Sequence, residues 1–361
     1  MRRREFIGLL GAAAAAVPLG RHGGAHSADA FPARTITIVV PYQPRGALDA
    51  AARLIAQESD LSQSIVVDNR PGASGVTGTN AVARADPDGY MLVLGNSQTH
   101  ACNQSLIRNC PYDAVRDFSP IAGISTISHV LVVRKDFPAF DIAGLVAVAR
   151  AKPGSLICGS PGNGSGAHLA AALFRSKAGI EVMQIPFNGL APMTTELLTG
   201  RIDMSMAPLP GLIFQQIQAG NVRALGIASA RRDAQLPSIP TIAEAGIAGV
   251  EADAWAALFA PARTPPAIIA RLHQAVAVAL AKDWVRTNLA KQGIPVALAT
   301  PAEVVAMLPA EVKKWAGVIK AAHIVMDYGL PPLPPPPLPP PVRGKAKLNT
   351  YNPRSAAAGM H

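Results

Sequence analysis

The first residues that could bind an anion lie in the loop Pro41–Gly46, which follows the apolar, β-branched run Ile36–Val40. Such a run, bounded by Pro and Gly, is typical of a buried strand. After the loop, apolar residues recur at helical spacing through Ile55. A loop between the end of a strand and the start of a helix offers unpaired N–H groups and the positive end of the helix dipole. The segment therefore predicts either an ordinary strand-to-helix turn or an anion-binding loop.

Three later segments repeat this arrangement of small polar residues after a predicted strand. They are Gly95–Thr99 after Met91–Leu94, Ser160–Ser165 after Leu156–Cys158, and Phe187–Gly189 after Glu181–Ile185. Each alone is a turn. Together they supply hydroxyl, amide and backbone donors at the carboxyl ends of strands, where open α/β sheets bind ligands. Donors that lack a paired nucleophile and base are suited to holding an anion rather than transforming it.

The templates of common enzymes fit this sequence poorly. Gly162–Gly166 has the spacing of neither the nucleophile elbow nor the dinucleotide-binding fingerprint. His100, His129 and His168 lack the spacing of a zinc site, and each is expected to be a loop or cap residue. We therefore predict no cofactor and no metal. A dispersed triad stays open, so a secreted α/β hydrolase or transferase is the alternative function.

Strand and helix patterns alternate along most of the chain, which predicts an α/β fold with one mostly parallel sheet, or two such sheets, and helices on both faces. The last third is more helical. Thr264 and Pro265 mark the start of a helix over 268–281, and Thr300 with Glu303 forms a capping box before a helix that reaches about Ala322.

The net charge of +10 is concentrated at the two ends of the chain. Residues 1–30 carry four basic and two acidic side chains, and residues 331–361 carry four basic and no acidic ones. The remaining +4 over residues 31–330 is too small to indicate a nucleic-acid groove.

Residues 1–30 have the pattern of an export signal: Arg2–Arg4, the apolar run Ile7–Leu19, and the small-residue site Ala28–Ala30. The mature chain is expected to begin at Phe31. The twin arginines favour the Tat route, with Sec as the alternative. At the other end, residues 331–361 predict a proline-rich, disordered tail.

Three cysteines are an odd number for an oxidising compartment. Cys102 and Cys110 are close enough in sequence to pair, which would leave Cys158 unpaired. Three small buried thiols are the other interpretation.

Several motifs in order along the chain resemble the Bug family (TctC-like) of periplasmic solute-binding proteins. The matching stretches are 31–49, 67–73, 86–90, 112–118, 162–168, 240–246 and 260–266. The resemblance spans about residues 31–327. It implies the type II periplasmic-binding-protein fold, with two α/β lobes and a ligand cleft between them. Lobe 1 would comprise residues 31–126 plus 229–330, and lobe 2 residues 127–228.

The resemblance also implies the function: capture of a small organic di- or tricarboxylate by closure of the lobes, for a tripartite tricarboxylate-type transporter or a sensor. No catalysis is implied, and the protein is expected to be a periplasmic monomer without nucleic-acid partners. The implied ligand-binding residues are Tyr42, Pro44, Arg45, Gly46, Asp49, Ser97, Thr99, Asn163, Gly164, Ser165, Phe187 and Asn188. Two departures from the family pattern stand out. Arg45-Gly46 replaces Gly-Gly, and Ala207-Pro208 replaces a strand exit rich in Asp and Asn.

Overall fold

The computed structural model describes residues 31–330, which form two β-sheets with helices packed on their faces. The predicted export signal and the proline-rich tail lie outside the described residues. The strands are β1 (Ile36–Val40), β2 (Ile65–Asn69), β3 (Met91–Asn96), β4 (Phe118–Ile127), β5 (His129–Arg134), β6 (Ile157–Ser160), β7 (Met183–Pro186), β8 (Met204–Pro208), β9 (Val222–Ile227), β10 (Ala254–Pro261) and β11 (Val296–Ala299). The helices are α1 (Ala47–Glu58), α2 (Val76–Ala83), α3 (Asn103–Leu106), α4 (Ile142–Ala151), α5 (Gly166–Ala178), α6 (Leu190–Leu198), α7 (Leu212–Gln218), α8 (Pro266–Ala281), α9 (Asp283–Lys291) and α10 (Pro301–Ala321).

The first sheet has the order β11-β4-β10-β3-β1-β2, and the second has the order β7-β6-β8-β5-β9. In the first sheet β1 runs parallel to β2 and β3, whereas β10 runs antiparallel to β3 and β4. In the second, β6 runs parallel to β7 and β8, whereas β5 is antiparallel to β8 and β9. Both sheets are therefore mixed, and the prediction of mostly parallel sheets is wrong.

Two connections join the sheets. Ser128 alone separates β4 from β5, and residues 228–253 lead from β9 back to β10. This second connection stays against the second sheet for most of its length, because Thr241 bridges to Ile227 and Leu236 packs in the same core as β5 and β8. We propose to draw the boundary of the second lobe at Ala254 rather than at the predicted Ser229.

Within residues 31–330, buried apolar side chains form three clusters. One lies under α1, α8 and α9 on the first sheet, and one under α6 and α7 on the second. The third is continuous between the sheets and includes Val39 of β1, Leu131 of β5, Phe174 of α5 and Trp315 of α10. The sheets therefore share a core on the side where α10 packs.

The three cysteines are buried, unbridged thiols. Burial raises the pKa of the Cys110 thiol to about 11 and that of Cys158 to about 12. Of the two interpretations of the sequence, the structure favours small buried residues over a Cys102–Cys110 bridge.

Candidate functional site

The loop between β1 and α1 has an unusual backbone conformation. Arg45 adopts φ +67°, in the left-handed region that favours glycine. Its N–H donates to Asp49 Oδ2 at 2.9 Å, so a carboxylate in the first turn of α1 fixes the path of the loop. The Arg45 side chain is exposed, and no ion pair within residues 31–330 holds it. Arg45 thus takes the left-handed conformation that a glycine adopts readily and adds a guanidinium at that point.

Asp49 is a buried carboxylate that neighbouring protein groups already bind. Arg53 lies 3.0 Å from Oδ1 and donates to Oδ2 at 3.1 Å. Arg53 also donates to Asn69, whose amide donates to the carbonyl of Tyr42. Burial alone would raise the pKa of Asp49, but the hydrogen bonds from Arg53 and from the Arg45 N–H lower it below its usual value. The carboxylate therefore holds the loop, and its charge would repel an anion.

We expect Asp49→Asn to lower the free energy of unfolding at neutral pH by about 1.5–3 kcal/mol, the range for a hydrogen bond to a charged group. Because the folded-state pKa is depressed, this contribution is fully present above the unfolded-state pKa of about 3.9 and is lost as the pH falls through the folded-state value. Urea unfolding of both proteins should therefore show a difference that is constant near neutrality and narrows below about pH 4.

Asp136→Asn is the matched control for this substitution. Asp136 pairs with Arg134, but its side chain is 79% exposed, so solvent screens the ion pair. The control should change stability much less than Asp49→Asn. A difference for Asp49→Asn that stays constant into strongly acidic solution would contradict the assigned role of the carboxylate.

The chain that leaves β3 forms a hydrogen-bonded turn over Gln98–Cys102 with π-helical geometry, a feature frequent at functional sites. Thr99 Oγ1 accepts from the Asn96 N–H at 3.0 Å, and Asn96 Oδ1 accepts from the Thr99 N–H at 3.1 Å. The Tyr42 hydroxyl also donates to Asn96 Oδ1, at 3.1 Å. These bonds join the β1 loop to the β3 exit and leave Ser97 half-buried beside them.

His100 belongs to this turn and its side chain is fully buried. Its ring stacks on Phe259 with centroids 3.9 Å apart and an angle of 4°, and its Nδ1 lies 2.9 Å from Thr99 Oγ1. Burial lowers the pKa of His100 to about 3, so the ring is neutral. The prediction of a loop or cap residue is wrong here, and equally for His129, which is buried in β5 with Nδ1 2.7 Å from the carbonyl of Ala252.

In the second sheet, the turn between β6 and α5 is closed by internal hydrogen bonds. Ser165 caps α5, because its Oγ accepts from the His168 N–H at 3.3 Å, and it donates to Gly162 O at 2.8 Å. The Gly164 N–H donates to His168 Nδ1 at 2.9 Å, which makes His168 a cap residue as predicted. Burial lowers the pKa of His168, and its Nε2 lies 3.0 Å from Gln184 Oε1. Asn163 is left exposed at the tip of the turn.

Phe187 and Asn188 follow β7 and lie beside this turn. The Phe187 N–H donates to Ser160 O at 2.9 Å, and the Gly189 N–H donates to Pro161 O at 3.0 Å. The Phe187 side chain is half-buried, whereas Asn188 is exposed. The two loops of the second sheet therefore form one unit, as the two loops of the first sheet do.

The twelve predicted residues divide into two groups according to the partners of their polar groups. Intrachain hydrogen bonds occupy the carboxylate of Asp49, the hydroxyls of Thr99 and Ser165, and the N–H of Gly164. The others are exposed or half-buried: Tyr42, whose hydroxyl donates to Asn96 Oδ1, and Pro44, Arg45, Gly46, Ser97, Asn163, Phe187 and Asn188. Within residues 31–330, no hydrogen bond joins the loops of the first sheet to those of the second.

Three helices begin at these loops, namely α1, α5 and α6. The first N–H groups of a helix lack intrahelical partners, and in α1 the first intrahelical bond is donated by Ala50 to Gly46 O. Ala207 at the end of β8 is buried and Pro208 is half-buried, so the exit of that strand adds no polar side chain. The arrangement therefore supplies neutral donors and helix amino ends, with the Arg45 guanidinium as an added positive charge.

A small, mainly apolar recess of about 110 Å³ adjoins these loops. Its wall includes Ala47 and Leu48 of α1, Asn96 at the end of β3 with the following Ser97, and Trp255 of β10. The predicted ligand-binding residues did not include Asn96, although it lies in the predicted polar segment Gly95–Thr99, nor Trp255, which no motif marked. A cavity of about 830 Å³ lies between the end of α5 and α10, and none of the twelve predicted residues lines it.

Within residues 31–330, no group of three or more His, Cys, Asp or Glu side chains is placed to hold a metal ion. None of the described helices is long and apolar enough to cross a membrane.

A family model described as "Tripartite tricarboxylate transporter family receptor" matches residues 51–324. The chain belongs to this family. Protein BugT of Bordetella pertussis is 35% identical over 297 residues, which are 81% of this chain and 91% of BugT. This match supports the resemblance that the sequence motifs carry.

Solved structures agree with the family assignment. R. palustris Rpa4515 with adipate is 35% identical, with TM-score 0.67 over 82% of this chain and 99% of that one. MatC from Rhodopseudomonas palustris with bound malate is 32% identical, with TM-score 0.65 over 80% of this chain and all of that one. The predicted two-lobed periplasmic-binding-protein fold is confirmed, and the family supports a solute-binding protein over the alternative hydrolase or transferase.

Proposed function

We propose that this receptor captures a small organic di- or tricarboxylate in the periplasm by closing its two lobes around it. The observation that carries the proposal is the placement of four polar loops at the carboxyl ends of β1, β3, β6 and β7, with Arg45 in the first of them. The adipate and malate in the two related structures support the choice of a carboxylate.

In this proposal the two groups of predicted residues have different tasks. Arg45, Gly46, Ser97, Asn163 and Asn188 contact the ligand through guanidinium, hydroxyl, amide or N–H groups, and Tyr42 does so by turning its hydroxyl from Asn96 to the ligand. Pro44 and Phe187 shape the wall. Asp49, Thr99, Gly164 and Ser165 hold the loops in place. Because the contacting donors lie on both sheets, a bound anion would connect the ligand loops of the two lobes, which share no hydrogen bond within residues 31–330.

The proposal extends to location and partners. The chain is exported, by the Tat or the Sec route, and the periplasmic receptor works as a monomer. It delivers its ligand to membrane transporter subunits or to a sensor, and it does not transform the ligand. The small net charge of residues 31–330 favours no nucleic-acid partner.

A thermal-shift screen of organic acids tests the proposal. A ligand that binds only the folded protein stabilises it by RT ln(1 + [L]/Kd), about 2.7 kcal/mol at a hundredfold excess over Kd. We expect at least one dicarboxylate, with adipate and malate in the panel, to raise the Tm without being consumed. Chromatography of the acid after incubation measures consumption. Turnover of the stabilising acid, or no shift with any carboxylate, would overturn the proposal.

A further inference from the structure

The segment Ile324–Leu330, which we name the C-terminal strap, begins where the family match ends and contacts residues of both lobes. It follows α10 and pairs with the chain after α3. The Met326 N–H donates to Leu106 O at 2.7 Å, and the Arg108 N–H donates to Met326 O at 2.9 Å. These two bonds fix the strap to the first lobe.

The Met326 side chain reaches the second lobe. A methyl group on Gly164 would lie 2.7 Å from Met326 Sδ and 2.9 Å from Leu106 Cδ2, so both side chains cover the Gly164 backbone. Gly164 is buried and has φ +68°, at the centre of the turn that presents Asn163. A side chain from the strap therefore packs directly on a turn of the candidate site.

Tyr328 makes the corresponding contact with the first lobe. Its hydroxyl lies 2.7 Å from Ser74 Oγ. Ser74 precedes Gly75, where a methyl group would lie 2.7 Å from Thr99 Cγ2 and 3.4 Å from the Tyr42 ring. The strap is thus in contact with the turn that supports the loops of the first lobe.

We propose that Met326 is a positioning residue for the ligand cleft, which holds the Gly162–Ser165 turn of the second lobe against the first. The proposal deepens the function proposed above and rests on it for its purpose. The physical basis is packing: a long thioether covers a glycine that carries no side chain of its own, so the turn is held by contact with the strap. Shortening that side chain removes the contact and lets the turn open.

Amide hydrogen exchange of the ligand-free protein tests the proposal without any ligand. The N–H groups of Gly164 and Ser165 are hydrogen-bonded inside the turn, to His168 Nδ1 and Gly162 O, so their exchange reports its opening. We expect Met326→Ala to speed exchange in a peptide over 161–168 by about fivefold or more. Met326→Leu, which keeps most of the side chain, should restore protection to within about twofold of wild type.

Val325→Ala is the matched control, because the neighbouring Val325 side chain is 59% exposed. It should leave the turn unchanged, and peptides from the central strand β5 report global opening in the same samples. Equal acceleration of the turn by Val325→Ala, or no acceleration by Met326→Ala, would overturn the proposal. If Met326→Ala also speeds exchange in β5, the whole protein has been destabilised, and Met326→Val is measured instead. Valine shortens the side chain but leaves a smaller cavity than alanine does. Unchanged protection of the turn in that variant contradicts the proposal, and selective loss supports it.

The exchange result is independent of the acid screen. If no carboxylate binds, the function proposed above fails. The effect of Met326 on the turn is still decided by the exchange measurement alone. If a carboxylate binds, Met326→Ala should also raise its Kd by several-fold, because the second-lobe donors must then be ordered on binding.

Discussion

Arg45→Gly should weaken binding of the acid found in the screen by about 10- to 100-fold, the loss expected when a charge-assisted pair of about 1.5–3 kcal/mol is removed. The same change should barely alter stability. Glycine relieves about 1 kcal/mol of left-handed backbone strain at φ +67°, and its greater freedom in the unfolded chain offsets a similar amount. Titration calorimetry together with urea unfolding separates the effect on affinity from the effect on stability.

The chain offers a close control for this experiment in Arg263, a second exposed arginine with a left-handed backbone, at φ +69°. Arg263 follows Pro261, the last residue of β10, which pairs with Phe118. The end of β3 at Asn96 pairs with Ala256, near the opposite end of β10, so Arg263 and the ligand loops lie at opposite ends of that strand. Arg263→Gly changes the charge and the backbone freedom in the same way, far from the cleft, and should leave affinity intact. Arg45→Lys should restore only part of the binding, because Lys cannot make the bidentate contact. Equal affinities of wild type and Arg45→Gly would place the arginine outside the site.

The loops of the candidate site could be predicted from local sequence because each follows an apolar strand directly. One predicted helix cap is confirmed: the Thr300–Glu303 capping box is present, with Thr300 Oγ1 accepting from the Glu303 N–H. Thr264 does not cap α8 as predicted, because the N-cap is Pro265. Strand type and loop position depend on residues next to one another in sequence. Local patterns are therefore sufficient for these features.

The direction of the strands could not be predicted in this way. The pairs β10 with β3 and β10 with β4 join segments more than a hundred residues apart, so their antiparallel arrangement is a property of the whole chain. The sequence patterns also did not predict β4 and β10 as strands. β4 contains Pro120 and Gly123, which normally weaken a strand, and the structure accommodates them with register shifts in its pairing with β10.

The partners of polar side chains were equally hidden. The resemblance to the family implied that Asp49 and Thr99 contact the ligand. In the structure, Arg53 and the Arg45 N–H donate to the Asp49 carboxylate. The Thr99 hydroxyl is hydrogen-bonded to Asn96 and to His100 Nδ1. A residue's type predicts what it can bond, whereas the fold decides which bond it makes.

Gly95→Ala should be the most damaging small substitution near the site. A methyl group on Gly95 would lie 2.3 Å from both Cε1 and Nδ1 of His100, closer than any real contact. The ring cannot retreat easily, since it is stacked on Phe259 and meets Phe118 edge-on at 4.6 Å. Overpacking of this kind costs about 1–3 kcal/mol of stability. Differential scanning calorimetry and urea unfolding measure the loss.

Gly317→Ala provides the contrast. Gly317 lies within α10 with nothing within 4 Å of the added methyl group, so alanine should stabilise the helix by about 0.5–1 kcal/mol. The same chemical change thus has opposite signs at the two positions. A loss of stability at Gly317, or a neutral effect at Gly95, would show that the space around the added methyl does not decide the outcome.

Displacement of His100 should also reach the ligand loops, because its Nδ1 contacts Thr99 Oγ1 and Thr99 shares Asn96 with the Tyr42 hydroxyl. We therefore expect Gly95→Ala to weaken binding of the acid as well as the fold. Removing the ring makes room for the methyl group, so Gly95→Ala should cost less in a His100→Ala background, with a coupling of about 0.5–3 kcal/mol in the double-mutant cycle. Additive effects of the two substitutions would mean that the methyl group and the imidazole do not compete for the same space, and that His100 does not connect the strand to the site.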